Sequence, residues 1–425
     1  MTINKVAEKL IAEIIIKDME SSIDPSQYGN QHGLSTNHYL IKMIHKILND
    51  LDTSEVTAVL ATFIDWNQCP RLGIEAFKKC GVRASLLPVL IDYFIGRSII
   101  VKWHGTQSKV KKVPGGGPAG GYFGILEYLA QSNGSANCVK KGDRFKFVDD
   151  LTALEKIALL TIGISSHNIK QQVPNDILTT NLFIPPEHLK SQNYLDQIQK
   201  WTVNQKIMLN QEKSKYMIFN FGKQQFSTRL SLKGKVLEEV KEIKLLGTYI
   251  TKDLKWNRNT NHLVKRAYSR MELLRQMTNF TKSTHDKLHI YKVYIRSILE
   301  QACVVWHSSL SKRNERELER VQKVAVRLIL GESKPYRESL TELKITTLKE
   351  RRNKLSVKFA RKCLSSKKTS NIFIKNIGRH KMTLRSKEHF KVKHAKTVRM
   401  EKSAVINMTH QLNNHMKKKE KMLNK

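Results

Sequence analysis

Apolar residues recur at three-to-four spacing through the first twenty positions (Val6, Leu10, Ile14, Ile15, Met19), which predicts an amphipathic helix over 3–20. Pro25 and the Gly29/Gly33 pair break that rhythm, and a second helix is expected from about Thr36 to Leu48. The run VTAVLATFID is different. It is short, continuous, rich in β-branched residues and stops at a carboxylate, as a buried central strand does. Helical patterns follow near 73–79 and 85–96, then a hairpin from Ile99–Trp103 to Val110–Val113. The glycine cluster PGGGPAGG opens into a helix, and RFKFVDDLTALE reads as two strands flanking paired aspartates. A loop-rich stretch runs to about 187. A helix ending near WTVNQKIMLN then precedes strands that include SKYMIFNF and IKLLGTYI. From about Trp256 the pattern is helical: 260–278, 284–300, 313–330 and 347–364. Mixed α/β followed by all-α marks a domain boundary near 255 on pattern alone.

Composition narrows the partner. With 40% hydrophobic residues over 425 positions the chain can bury a sizeable core. Its 75 Lys+Arg against 37 Asp+Glu leave a net charge of +38. Such an excess repels itself unless it meets a polyanion, and nucleic acid is the commonest one. The basic excess is steepest past residue 340 and ends in MKKKEKMLNK, which reads as a solvated tail or as a nucleic-acid clamp. An acidic membrane surface would need an apolar face or anchor beside the charge. No lipidation signal stands at either end, and no apolar run reaches the roughly 20 residues of a membrane span. The opening segment is broken by Lys5, Glu8, Lys9 and Glu13, unlike a signal peptide. The five scattered cysteines include no CxxC pair, so neither a disulfide framework nor a zinc knuckle is expected. A reducing compartment inside the cell, cytoplasm or nucleus, fits best.

Three carboxylates are the candidate chemistry: Asp65 at the end of the apolar strand, and Asp149 with Asp150 at the hairpin tip. Nucleotidyl transfer asks a protein mainly for position and charge. Two Mg²⁺ ions hold the attacking and leaving oxygens, and Mg²⁺ takes one or two carboxylates rather than a cage. Aspartates projecting from one face of adjacent strands suit that geometry. Singly each has a plain alternative: an Asp-Asp pair serves many turns, and a strand-ending Asp often caps a helix. Their order changes the picture: strand-Asp, glycine loop with helix, hairpin with Asp-Asp, then a lysine-rich helix end.

Here a family resemblance becomes specific. FVDD at 147–150 resembles the (F/Y)xDD signature of reverse transcriptases, and FID at 63–65 their upstream F-x-D. PGGGPAGG is similar to their S-G-V-P-Q-G loop, and QYGNQHGLST to their Q-x-G-F-R-x-G-R-S-T segment. LNQEKSKYMIF and IKLLGTYI resemble the L-N-x-x-K-T-x-x-M and K-x-L-G-x-x-I stretches of retroelements. YIRSILEQACVVWHSSL and LERVQKVAVRLIL resemble the region after the palm in retrotransposons lacking long terminal repeats. Eight ordered matches cover residues 1–365. Intron maturases and telomerase share the three aspartates, but the C-terminal matches favour the retrotransposon lineage.

The resemblance implies an α/β (α+β) polymerase palm and fingers followed by an all-α, thumb-like region. Residues 1–50 would be truncated fingers, 51–255 the palm, 256–365 the thumb-like part and 366–425 a basic tail. It implies an RNA-directed DNA polymerase with Mg²⁺ (or Mn²⁺) as cofactor, and an RNA template, a DNA primer and deoxynucleoside triphosphates as partners. Asp65 and Asp149 would hold the metals with Asp150 beside them, and Lys213 would protonate the pyrophosphate; an exposed lysine is the plain alternative. Gly117, Pro118, Ala119 and Gly120 would line the nucleotide and template pocket. Leu246 and Gly247 would lie in a primer-gripping strand turn. Lys265, Arg266 and Arg270 would track phosphates, or simply form a solvated helix face.

The sequence also departs from the family. Pro70 stands where an aromatic that excludes the ribose 2′-hydroxyl is expected, in a segment several residues short, and Ala119 replaces Gln. The basic and Arg-Pro-Ile segments that bind triphosphate, and an endonuclease domain, do not precede the match. These departures touch the nucleotide pocket and spare the carboxylates. The expectation is a copy that folds and binds nucleic acid but polymerises poorly or not at all; a non-catalytic nucleic-acid-binding remnant is the alternative.

Overall fold

The computed structural model describes residues 3–66, 73–113, 120–158, 181–205, 207–376 and 389–423. Gly117, Pro118 and Ala119, and the departure at Pro70, lie outside the described residues. The chain is mixed α/β around a central sheet and divides into two compact units. The first comprises 1–35, 58–218 and 222–240, and the second 36–57, 219–221 and 241–425.

In the first unit five strands form the sheet: β1 (Ala58–Trp66), β2 (Arg144–Phe147), β3 (Asp150–Ile157), β4 (Leu209–Phe219) and β5 (Glu238–Glu239). Their order is β5-β4-β1-β3-β2. β1 and β3 pair antiparallel, as do β2 and β3, whereas β5 joins β4 in parallel. The apolar run of β1 is thus central, buried from Ala58 through Ile64, which is why it alternates so little. One face of the sheet, with Leu60, Ile64 and Leu151, packs with Leu195 and Ile198 of the helix Lys190–Gln205.

A second core joins the helices Ile3–Met19 and Tyr122–Gln131. Here the expected buried face of the first helix is corrected. Ala12, Ile15 and Met19 are buried, while Val6, Leu10 and Ile14 are 45%, 59% and 40% exposed. The helix carries two apolar stripes, and small Ala12 allows close approach on the one facing Phe123 and Leu126. The basic hairpin forms as two short ladders, Ser98–Ile99 with Lys111–Lys112 and Lys102–Trp103 with Thr106–Gln107.

The second unit holds the hairpin β6 (Glu242–Leu245) and β7 (Thr248–Thr251) and the long helices Asn257–Phe280, Lys312–Leu330, Leu348–Leu364 and Ala404–Leu423. Trp306 is fully buried, and buried Gln322 donates to Tyr336 Oη at 2.8 Å and the Thr346 carbonyl at 3.0 Å. The W and Q of the sequence matches are therefore core groups. The basic stretch past 366 packs as well: Met400, Ile406, Met408 and Leu412 are buried. Among the described residues no helix is long and apolar enough to cross a membrane.

Candidate active site

The β1–β3 register pairs Phe63 with Thr152 and Ile64 with Leu151. Continuing it by one residue sets Asp65 against Asp150. Side chains opposite one another in an antiparallel pair share a face, with Cβ atoms about 5 Å apart. Both carboxylates thus leave the sheet on the face opposite the Leu60/Ile64/Leu151 core. β2 and β3 are joined by a tight turn, Phe147 pairing with Asp150 around Val148 and Asp149. Asp149 is exposed at this tip and Asp150 is half-buried.

Asp65 is held on three sides. Its backbone N–H donates to Ser214 Oγ at 3.2 Å, its Oδ1 accepts from the Trp66 N–H at 2.9 Å, and Lys213 Nζ lies 3.8 Å from Oδ2. Ser214 in turn donates to the Asn210 carbonyl at 2.6 Å, and Asn210 Oδ1 accepts from the Lys213 N–H at 3.2 Å. The asparagine of the L-N-x-x-K stretch therefore shapes the start of β4 so that Lys213 faces Asp65. The lysine itself is 73% exposed.

Burial, then the charges of Asp149 and Asp65, push the Asp150 carboxyl up to about 6 from 3.8. A carboxyl raised on folding contributes full stability below 3.8, and that contribution is lost as pH rises through about 6. In metal-free protein at pH 8, Asp150→Asn should therefore stabilise the fold by about 2 kcal/mol, after allowing for solvent reaching this half-buried group. Thermal unfolding followed from pH 4 to 8 checks this. The midpoint of the variant should exceed that of the parent by a few degrees at pH 8 and converge with it near pH 4.

The hairpin tip is clamped from the N-terminal side. Lys146 N–H donates to the Ser26 carbonyl at 2.9 Å, and Tyr28 N–H to the Lys146 carbonyl at 2.8 Å. Gln27, only 3% exposed, accepts through Oε1 from both Val148 N–H at 3.0 Å and Gly29 N–H at 2.9 Å. Val148 has φ 57°, a strained setting for a β-branched residue. A Cβ on Gly29 would stand 2.5 Å from the Val148 nitrogen. Underneath, Arg144 and Asp24 form a buried ion pair at 3.0 Å. The Lys146 ammonium, pulled down to about 8 by burial, donates to the carbonyls of Ser132 and Asn133 at 2.6 and 3.2 Å. No role for Gln27, Gly29 or Ser214 was read from the sequence. The Q-x-G spacing is the signal for the first two, and the hydroxyl position after Lys213 in the L-N-x-x-K-T-x-x-M match is the signal for Ser214.

The remaining sequence candidates divide. Gly120 is exposed with φ 84°, and the helix it precedes starts at Tyr122. That helix N-terminus is already served by Glu8, whose Oε1 accepts from the Phe123 N–H at 3.0 Å. The β6–β7 turn is Leu246–Gly247, with φ 47° and 81°. Gln301 links it to Arg266, donating to the Gly247 carbonyl at 3.2 Å and accepting from Arg266 at 3.0 Å. Lys265, Arg266 and Arg270 are exposed on one helix.

No protein-family model matches the chain. It is similar to a curated protein described as the probable RNA-directed DNA polymerase from transposon X-element of Drosophila melanogaster. The resemblance is distant. The two are 22% identical over 374 residues, 84% of this chain and 38% of the fly protein. The chain thus spans well under half the length of that relative.

Among the described residues no three His, Cys, Asp or Glu side chains form a ready-made metal cage. The carboxylates still fit Mg²⁺, which uses one or two of them and takes its remaining oxygens from substrate phosphates and water. The raised Asp150 carboxyl, pressed by two like charges, is a group that a cation would relieve.

Proposed function

We propose that the chain is the polymerase part of a retrotransposon reverse transcriptase, extending a DNA primer on an RNA template. The observation that carries this reading is Asp65 facing Asp150 across the β1–β3 register, with Lys213 beside them. The distant resemblance to an RNA-directed DNA polymerase supports it. In this reading the first unit supplies the palm and part of the fingers, and the helices after 256 the thumb.

Mg²⁺ or Mn²⁺ held by Asp65 and Asp149, with Asp150 beside them, would neutralise the triphosphate and the entering primer oxygen. The protein's own part is positional. The β1–β3 pairing fixes the Asp65–Asp150 spacing, Ser214 and Trp66 fix the Asp65 carboxylate, and Gln27 fixes the turn that carries Asp149. Lys213 delivers a proton to the departing pyrophosphate. Gly117, Pro118, Ala119 and Gly120 border the nucleotide, Leu246 and Gly247 the primer, and Lys265, Arg266 and Arg270 the phosphates.

A second reading, a nucleic-acid-binding scaffold without catalysis, is favoured by Pro70 and Ala119 standing in the nucleotide-pocket segments. Primer extension on an RNA template with Mg²⁺ or Mn²⁺ separates the two. The polymerase reading expects metal-dependent extension that Asp149→Ala abolishes, at least about 100-fold slower than an intact relative because the pocket is altered. No incorporation alongside retained nucleic-acid binding selects the second reading.

A further inference from the structure

In the second unit the helices Leu348–Leu364 and Ala404–Leu423 flank a groove of 770 Å³. Lys354, Lys358 and Arg361 line one wall at i, i+4 and i+7, and Asn414, His415 and Lys418 line the other at i, i+1 and i+4. No carboxylate lines it, and Val357 is its one apolar side chain. Along the first wall the three basic residues are i, i+3/i+4 neighbours, about 6 Å apart, and Lys418 adds a fourth from the other wall.

The missing acids are informative because the same helix pairs its basic residues elsewhere. Lys349 reaches Glu315 at 3.0 Å and Arg351 reaches Glu300 at 3.0 Å. Lys354, Lys358, Arg361 and Lys418 have no ion pair among the described residues. Like charges at i, i+4 weaken a helix, so an uncompensated row is a standing cost that a bound polyanion removes. Asn414 and His415 add further N–H donors, which suits phosphodiester oxygens.

We propose that this groove binds the phosphodiester backbone of a nucleic-acid strand. The groove is built from residues of the second unit and the three aspartates belong to the first, and the proposal takes from the polymerase reading only that the polyanion is nucleic acid. Binding needs no metal and no sequence, only phosphates at regular spacing.

The test uses the full chain in EDTA, so that catalysis plays no part, with fluorescein-labelled 20-mers of RNA and DNA followed by anisotropy at several salt concentrations. The triple variant K354Q/K358Q/R361Q should bind at least tenfold more weakly to one or both strands. Its salt slope should be shallower by about 2, the contribution of three cations on a single strand. The triple K312Q/R316Q/R320Q changes the charge equally on another helix and should bind within twofold of the parent. Both triples replace exposed side chains and remove like-charge repulsion within a helix, so neither should lower the thermal unfolding midpoint, and each can be compared with the parent at equal folded fraction. Equal loss in the two triples, or none in the first, overturns the proposal. So does loss of phosphatidylserine vesicle binding in the first triple with strand binding intact. Asp149→Ala should bind strands like the parent, so an inactive polymerase with an intact groove is told apart from a failed groove.

Discussion

Asp65→Asn is expected to cut primer extension about 10³-fold from whatever rate the parent shows, without unfolding the protein. In the polymerase reading the size follows from removing one fixed charge from a site that would act mostly by electrostatic positioning. Asn keeps the shape and can still accept from the Trp66 N–H, so the loss isolates the charge. The same substitution removes one of the two charges that raise Asp150, so that carboxyl should titrate lower in the variant. Mn²⁺ binding followed by electron paramagnetic resonance gives a readout independent of turnover, and affinity should fall at least about tenfold, one ligand's worth. Unchanged Mn²⁺ affinity together with unchanged extension would remove Asp65 from the site. Lys213→Ala should cost less in extension, because a positioned proton donor contributes about 10²-fold or more and solvent reaches this exposed position.

The second large effect belongs to a residue that touches no substrate. Gly29→Ala places a methyl group 2.5 Å from the Val148 nitrogen and 2.6 Å from its Cγ2. The nearest obstacle is backbone, so the segment 26–29 and the β2–β3 turn must separate. Overpacking of this kind costs about 1–3 kcal/mol. Moving the turn shifts Asp149 and Asp150 together, and a displacement of about 1 Å is enough to lower the rate about 100-fold. Gln27→Leu attacks the same clamp differently, leaving the N–H groups of Val148 and Gly29 without their shared acceptor. Denaturant unfolding measures the stability loss, and primer extension with Mn²⁺ binding measures the displacement. A merely structural role predicts lost stability with unchanged metal affinity per folded molecule, whereas the clamp predicts that both fall.

Much of this arrangement was legible in the residues. The alternation break at VTAVLATFID marked a strand buried in the middle of a sheet, and β1 is the third of five. FVDD between two short apolar runs marked a hairpin tip, whereas the strand expected as SKYMIFNF begins five residues earlier, at Leu209, so Lys213 stands within β4 and not at a helix end. These features are local: turn chemistry, side-chain period and run length act over a few residues, so they are written in consecutive positions. The helical half was readable for the same reason, although the stretch expected as one helix over 284–300 contains a wider-wound segment, Tyr291–Arg296.

The first helix shows where such reading stops. It carries two apolar stripes, and periodicity cannot choose between them; packing against Tyr122–Gln131 selects Ala12, Ile15 and Met19. Likewise, that Glu8 would serve the helix after the glycine cluster depends on a contact 115 residues away in sequence. The sequence alone therefore determined most elements up to residue 364 and their order, the basic surplus and the positions of three aspartates, but not the helix Ala404–Leu423 in the stretch expected as a basic tail. Tertiary structure alone decided that residues 65 and 150 meet across two strands, that crowding there raises one carboxyl, and that Gln27 and Gly29 seat the strained Val148 turn. Hydrogen bonds and charges between distant segments depend on register and burial, and neither exists until the strands have paired.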